Sequence, residues 1–339
     1  PTVPIVLLVV SLIFIFQRVG TNTVGKAFGP IMMVWFGMLA VLGVKGILEH
    51  PDVLQAVNPV YAYRLLVEYP GGIALLGAVF LCTTGAESLY SDLGHCGKVN
   101  IQVSWIFVKI ALLLNYFGQG GWLMSHAGSA LEESQKPFFT LMPDWFLITG
   151  IFIATIATIV ASQAVISGAF TIVSEAIRLH LFPKMTVKFP SNFKGQIYIP
   201  LVNVSLWIGC IAVVLYFREA SAMEHAYGLA INLAMLMTTV LLGYYLRLRR
   251  VNRIIIVFVV AIFMIVEFAF LYSNLLKFAK GGYIALVIAL LAVFVMYVCF
   301  KAAAIKNKLI EFVKVNDHKD KLMALSKDTS LPKFATHLV

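Results

Sequence analysis

The stretch Phe80-Leu-Cys-Thr-Thr-Gly-Ala-Glu-Ser-Leu-Tyr-Ser-Asp-Leu-Gly-His-Cys-Gly97 decides how the rest of the chain is read. It begins inside an apolar run, Gly71 to Cys82, of the kind that crosses a bilayer. Thr83, Thr84, Gly85 and Glu87 then arrive where a single crossing should still lie in hydrocarbon. A carboxylate at that depth is costly, and it ordinarily faces a wet or protein-lined interior on an ion or proton path. Gly85 beside two threonines offers a place for the helix to unwind. Unwound carbonyls with hydroxyls nearby can replace the water shell of a monovalent cation. The competing reading is a helix kink in which Glu87 pairs with a neighbouring helix.

Composition agrees with a bilayer as the solvent. Of 339 residues, 60% are hydrophobic and only 12% charged, and mean hydropathy is +0.91. A soluble domain of this size does not carry so much apolar surface. The net charge of +10 lies in loops and tail between apolar runs, which is a topology signal and not a nucleic-acid-binding face. Cys82, Cys96, Cys210 and Cys299 are scattered without a CxxC pair. They read as small apolar residues, with neither a metal site nor a disulfide framework. No nucleophile–base pair suggests an enzyme, and no cofactor is implied.

Outward from the central stretch, the sequence divides into nine spans. They run Val3–Phe16, Phe28–Ile47, Gly71 to about Tyr90, Val103–Met124, Trp145 to about Ala176, Ile197–Phe217, Ser221–Leu246, Ile254–Leu275 and Gly282 to about Ala304. Pro30 falls in the first turn of the second span on this division, where a missing N–H costs little. Glu49 to Tyr69 is expected to be partly helical at the interface. The fifth span is too long for one ordinary crossing, and its small residues between Ala154 and Ala169 allow close helix approach. The abrupt apolar start and the polar tail from residue 307 read as two cut ends of a longer protein, with 1–306 as the membrane domain and 307–339 as the start of a further one.

Basic residues orient the spans. The connections after odd-numbered spans, counting Lys301 at the end of the ninth span, hold 19 Lys and Arg, against six in the alternate set, counting Lys45 at the end of the second. Short cytoplasmic loops carry the excess, so Pro1 faces outside and the tail lies in the cytoplasm.

Other polar residues have two readings each. Asn115, Tyr116 and Gln119 lie beside Gly118, Gly120 and Gly121, where they either line a cavity or seal two helices together. Thr83 and Tyr90 are further cavity-lining candidates, while Asp92 and His95 read as loop residues. Lys109 either snorkels to the nearby interface or meets a membrane carboxylate. Glu175 and Arg178 make a membrane-edge ion pair one turn apart. Glu267 sits inside an eighth span that looks peripheral, without an evident role. Tyr227-Gly228 is a cation-ligand candidate or an interfacial tyrosine.

Gly85-Ala-Glu-Ser-Leu-Tyr-Ser-Asp-Leu-Gly-His-Cys-Gly97 resembles the GAEALYADxGHFG signature of the Kup/HAK/KT potassium uptake permeases. Phe16-Gln-Arg-Val-Gly-Thr21, Phe28-Gly-Pro30, Leu114-Asn-Tyr-Phe-Gly-Gln-Gly120 and Ser162-Gln-Ala-Val-Ile-Ser-Gly-Ala-Phe170 resemble further blocks in the family's order. So do Ile199-Pro-Leu-Val-Asn203 and Ala226-Tyr-Gly228. Ser88, Ser91 and Cys96 depart from the signature without changing a proposed ligand.

The resemblance implies a twelve-helix transporter of the amino acid–polyamine–organocation superfamily, LeuT-like, with a five-plus-five inverted repeat. The nine spans would be its helices four to twelve. It further implies Thr84 and Tyr227 as potassium ligands and Glu87 as the proton-linked carboxylate. Burial favours the protonated carboxyl, so Glu87 would take a proton from outside and release it inside. The membrane potential would drive both cations inward while rocking of one repeat alternates access. The expected protein is a multi-pass plasma-membrane K+:H+ symporter, and a homodimer is a candidate assembly. Rival readings are a channel-like potassium pathway without proton coupling, an amino-acid permease on the same fold, and a receptor without transport.

Overall fold

The computed structural model describes residues 2–17, 22–85, 97–128, 136–189, 197–309 and 319–327. Within them the chain is helical almost throughout. The helices are α1 (Thr2–Phe16), α2 (Asn22–Glu49), α3 (Pro59–Glu68), α4 (Gly72–Cys82), α5 (Lys98–Ser125) and α6 (Pro137–Thr140). There follow α7 (Asp144–Arg178), α8 (Pro200–Phe217), α9 (Ala220–Leu248), α10 (Arg253–Leu275), α11 (Gly282–Leu309) and α12 (Lys319–Lys327). Among the described residues seven helices are long and apolar enough to cross a membrane: α2 from Ala27, α5, and α7 to α11. Helices α1 and α4 are apolar but shorter. The protein is an all-helical, multi-pass membrane protein.

Local sequence explains many of the boundaries. Pro59, Pro137 and Pro200 open α3, α6 and α8, where no intrahelical N–H is needed. Asn58 and Asn252 cap α3 and α10 by accepting from the amides of Val60 and Ile254. The interfacial segment between α2 and α4 folds as a 3-10 helix, Pro51–Val57, followed by α3, both largely exposed as its mixed sequence suggests.

Two boundaries differ from expectation. Helix α2 begins at Asn22, so Pro30 lies inside it and not in its first turn. Favourable lipid burial of the rest of the helix outweighs the one lost backbone bond. Helix α7 runs unbroken for 35 residues. At 1.5 Å per residue that is about 52 Å, so its ends project beyond a hydrocarbon core of about 30 Å. The Glu175–Arg178 ion pair, 3.0 Å, sits at one such end as the sequence suggests.

Packing falls into three groups. Helices α1, α7 and α8 enclose Phe14, Ile166, Phe170, Tyr198 and Ile199. There Asn203 Nδ2 donates to the Phe14 carbonyl at 3.1 Å, and Gln17 donates to Gln163. Helix α2 packs on α5 and α7 around Met38, Leu42 and Met142. The third group joins α9, α10 and α11, with α4 laid against α9 and α10.

Candidate ion-binding site

Helix α4 is the half-length element that places the site. Its 11 residues cover about 16 Å, roughly half the hydrocarbon thickness. A helix of that length does not cross the hydrocarbon core on its own. Helical structure stops at Cys82, and Gly85 has a φ of 107°, a region where glycine alone is at ease. The last carbonyls of a helix need partners from elsewhere. Here Thr83 Oγ1 donates to the Phe80 carbonyl and Thr84 Oγ1 to the Leu81 carbonyl, each at 2.8 Å. The Cys82 carbonyl accepts from the hydroxyl of Tyr116, on α5, at 2.7 Å. A hydroxyl that has given its hydrogen to a carbonyl keeps its oxygen lone pairs for another partner. Glu87 and Tyr90 lie outside the described residues.

A second set of contacts fixes α4 from the opposite direction. Ser273, fully buried near the end of α10, accepts from the Gly77 amide at 2.8 Å and donates to the Ala74 carbonyl at 3.0 Å. A Cβ on residue 77 would lie 2.9 Å from that hydroxyl and 3.2 Å from Asn274 Oδ1. On α9, a Cβ on residue 228 would lie 3.0 Å from the same Asn274 oxygen and 3.4 Å from Leu81. Two glycines therefore let Asn274 enter between α4 and α9. The last turn of α4 meets the turn of α9 that carries Tyr227, which is 47% exposed.

Asn115, Tyr116 and Gln119 divide between two faces of α5. Asn115 is buried with its Nδ2 3.3 Å from the Leu39 carbonyl of α2, and Gln119 donates to Asn115 Oδ1. Both fill the α2–α5 seam, whereas Tyr116 reaches α4. The seam is closed by backbone: a Cβ on Gly43 would lie 2.3 Å from Leu114 C, and one on Gly46 would lie 2.5 Å from Gly118 O. Of the two sequence readings, cavity lining or helix seal, these contacts put Asn115 and Gln119 in the helix seam.

The α9–α10 interface carries polar residues that sequence reasoning left without a role. Glu267 is 4% exposed although the helix that carries it is largely exposed, and Thr239 Oγ1 donates to its Oε1 at 2.6 Å. Asn232, fully buried, donates to the Glu267 carbonyl at 3.2 Å. Among the described residues, Glu267 Oε2, Asn232 Oδ1 and Asn274 Nδ2 are buried without a hydrogen-bond partner. Seven-residue spacing puts Glu267 and Asn274 on one face of α10. That spacing, opposite Gly228 and Asn232, was the signal available in the sequence. Lys109 extends back over Trp105, its Nζ 5.5 Å from the ring, in the direction of the α5 start.

Residues 1–304 match the family described as "K+ potassium transporter integral membrane domain". A protein of Cytophaga hutchinsonii named "Probable potassium transport system protein Kup" is 53% identical over 345 residues, covering 100% of this chain and 52% of the relative. Its namesake from Flavobacterium johnsoniae is 50% identical, covering 99% of this chain and 52% of the relative. One named likewise from Clostridium perfringens is 47% identical, with 99% and 52% covered. The chain thus spans about half the length of the curated relatives it matches. No solved structure matches it. The family match covers nearly the whole of the helical region, and it agrees with a multi-pass membrane architecture. The chain belongs to the K+ potassium transporter integral membrane domain family.

Proposed function

We propose that the protein takes up potassium ions across the plasma membrane as a K+:H+ symporter with alternating access. The observation that carries this is the end of α4: helical structure stops at Cys82 after 11 residues, with two threonine hydroxyls and a left-handed glycine beyond it. Hydroxyl and carbonyl oxygens at such a break suit a weakly hydrated monovalent cation. The relatives are named as potassium transport system proteins, which supports potassium as the ion.

In this reading Thr84 and Tyr227 bind potassium, and Glu87 carries the coupled proton. Thr83 and Tyr90 border the cavity, and Tyr116 holds the last carbonyl of α4. The chain supplies helices four to twelve of a LeuT-like inverted-repeat transporter, with residues 1–306 in the membrane and 307–339 entering a cytoplasmic domain. Residue 1 faces outside. A homodimer is the candidate assembly.

The test is potassium uptake by the full-length protein in cells lacking other potassium uptake, with internal pH followed at the same time. Potassium entry accompanied by proton entry is expected. Potassium entry without proton movement would replace this reading with a channel-like pathway, and absence of potassium entry would remove both.

A further inference from the structure

Helix α4 is held near its end by side chains from two helices far apart in sequence. On one side Tyr116 of α5 donates to the carbonyl of Cys82, the last helical residue. On the other, Ser273 of α10 bridges the Gly77 amide and the Ala74 carbonyl within the helix. Helix α5 is itself locked to α2 by backbone contacts at Gly43, Gly46, Gly118 and Gly121, so Tyr116 projects from a fixed body. Ser273 is fully buried and packed closely against Gly77, where an added Cβ would stand 2.9 Å from its oxygen. Between these two holds lies a little over one turn of helix, and directly after it come Thr83 and Thr84.

Helix termini fray unless their carbonyls find partners. A helix that stops in mid-membrane has no water to supply them. We propose that Tyr116 and Ser273 are positioning residues for the ion site: they fix the end of α4 from two sides and so set where Thr84 presents its hydroxyl. Neither needs to touch the ion. This inference rests on the potassium-site reading above. Their loss leaves the ligands present but less well placed, which weakens binding and blurs selection between ions of similar size while sparing the maximal rate.

The experiment measures initial rates of potassium and rubidium uptake by the full-length protein, normalised to protein in the membrane. Tyr116→Phe removes one hydroxyl and keeps the ring; Ser273→Ala removes the other. Each is expected to raise the half-saturating potassium concentration about two- to tenfold, the span of one lost hydrogen bond. Maximal rate should stay within about twofold of the parent, and the rubidium-to-potassium ratio should shift. If Tyr116→Phe does not reach the membrane, Ser273→Ala decides alone. A second readout is independent of transport: the rate at which a membrane-permeant maleimide labels Cys82, with Cys96, Cys210 and Cys299 replaced by serine. Release of the Cys82 carbonyl should change that rate in Tyr116→Phe. Parental half-saturation and ion ratio in both variants would overturn the inference. If the parent moves neither ion, the transport reading fails, and unchanged Cys82 labelling then overturns the positioning role as well.

Discussion

The α2–α5 and α9–α10 interfaces solve the same problem in opposite ways. In lipid there is no hydrophobic drive for helices to associate, so contact must come from close packing or from hydrogen bonds. The first pair removes side chains: Gly43, Gly46, Gly118 and Gly121 bring backbone against backbone, and Asn115 ties the seam to the Leu39 carbonyl. The second pair inserts side chains: Asn232, Thr239 and Glu267 bond across it, and three buried polar atoms there and at Asn274 have no hydrogen-bond partner among the described residues. A backbone seam has one arrangement. A side-chain seam depends on each buried polar group finding a partner, and every one left without a partner costs stability. Helix α4 lies between these two kinds of support.

The comparison can be broken most strongly at Gly118. A side chain there meets Gly43 Cα and O at 2.6 Å, and backbone cannot step aside. Gly118→Val should therefore cost more than about 3 kcal/mol. It should be read as near-complete loss of the full-length protein from the membrane fraction; normal accumulation would show that the seam yields.

Glu267 sharpens the other half. Glu267→Ala leaves the Thr239 hydroxyl unpaired in a cavity and should destabilise by about 2–4 kcal/mol. Glu267→Gln keeps the volume and an acceptor for Thr239, so it should cost less than about 1.5 kcal/mol. Thermal unfolding in detergent orders the two. Equal losses would mean that charge, and not the Thr239 bond, holds the interface.

The smallest effect is expected at Gly77. Its neighbour is the Ser273 hydroxyl, a side chain that can move, so Gly77→Ala should cost about 1–2 kcal/mol. In Ser273→Ala that obstacle is gone. The double variant should be more stable than the sum of the single losses predicts, by about 0.5–1 kcal/mol. Strict additivity in the same unfolding measurement would deny the contact.

Much of this architecture was legible beforehand because lipid imposes it. Long apolar runs must become helices, and α5, α7, α8, α9, α10 and α11 form where hydropathy places them. Gly85 beside two threonines predicts a helix break, and α4 stops at Cys82, while the glycines of α5 allow a cavity or a helix seal and the structure shows close contact with α2. Pro30 misled about the start of α2 because a proline rule for helix ends was applied where lipid burial extends the helix past it. Ser273 and Glu267 could not be assigned from the sequence. Their partners lie at Gly77 and Thr239, 196 and 28 residues away, and a helix in lipid exposes apolar residues all around, so its buried face leaves little hydropathy pattern. Tyr116 was singled out beside Asn115 and Gln119, but the turn of the helix that sends it to α4 while they face α2 emerged only from packing.

The central claim is that the end of α4 leads into a proton-coupled potassium site, and Glu87 is the residue on which it turns. Glu87→Gln keeps size and hydrogen bonding and removes the titratable proton. Potassium uptake by the full-length protein should be measured at two external pH values and normalised to protein in the membrane. The account predicts that uptake in Glu87→Gln falls sharply and no longer depends on external pH. Unaltered, proton-coupled potassium uptake in that variant would contradict it.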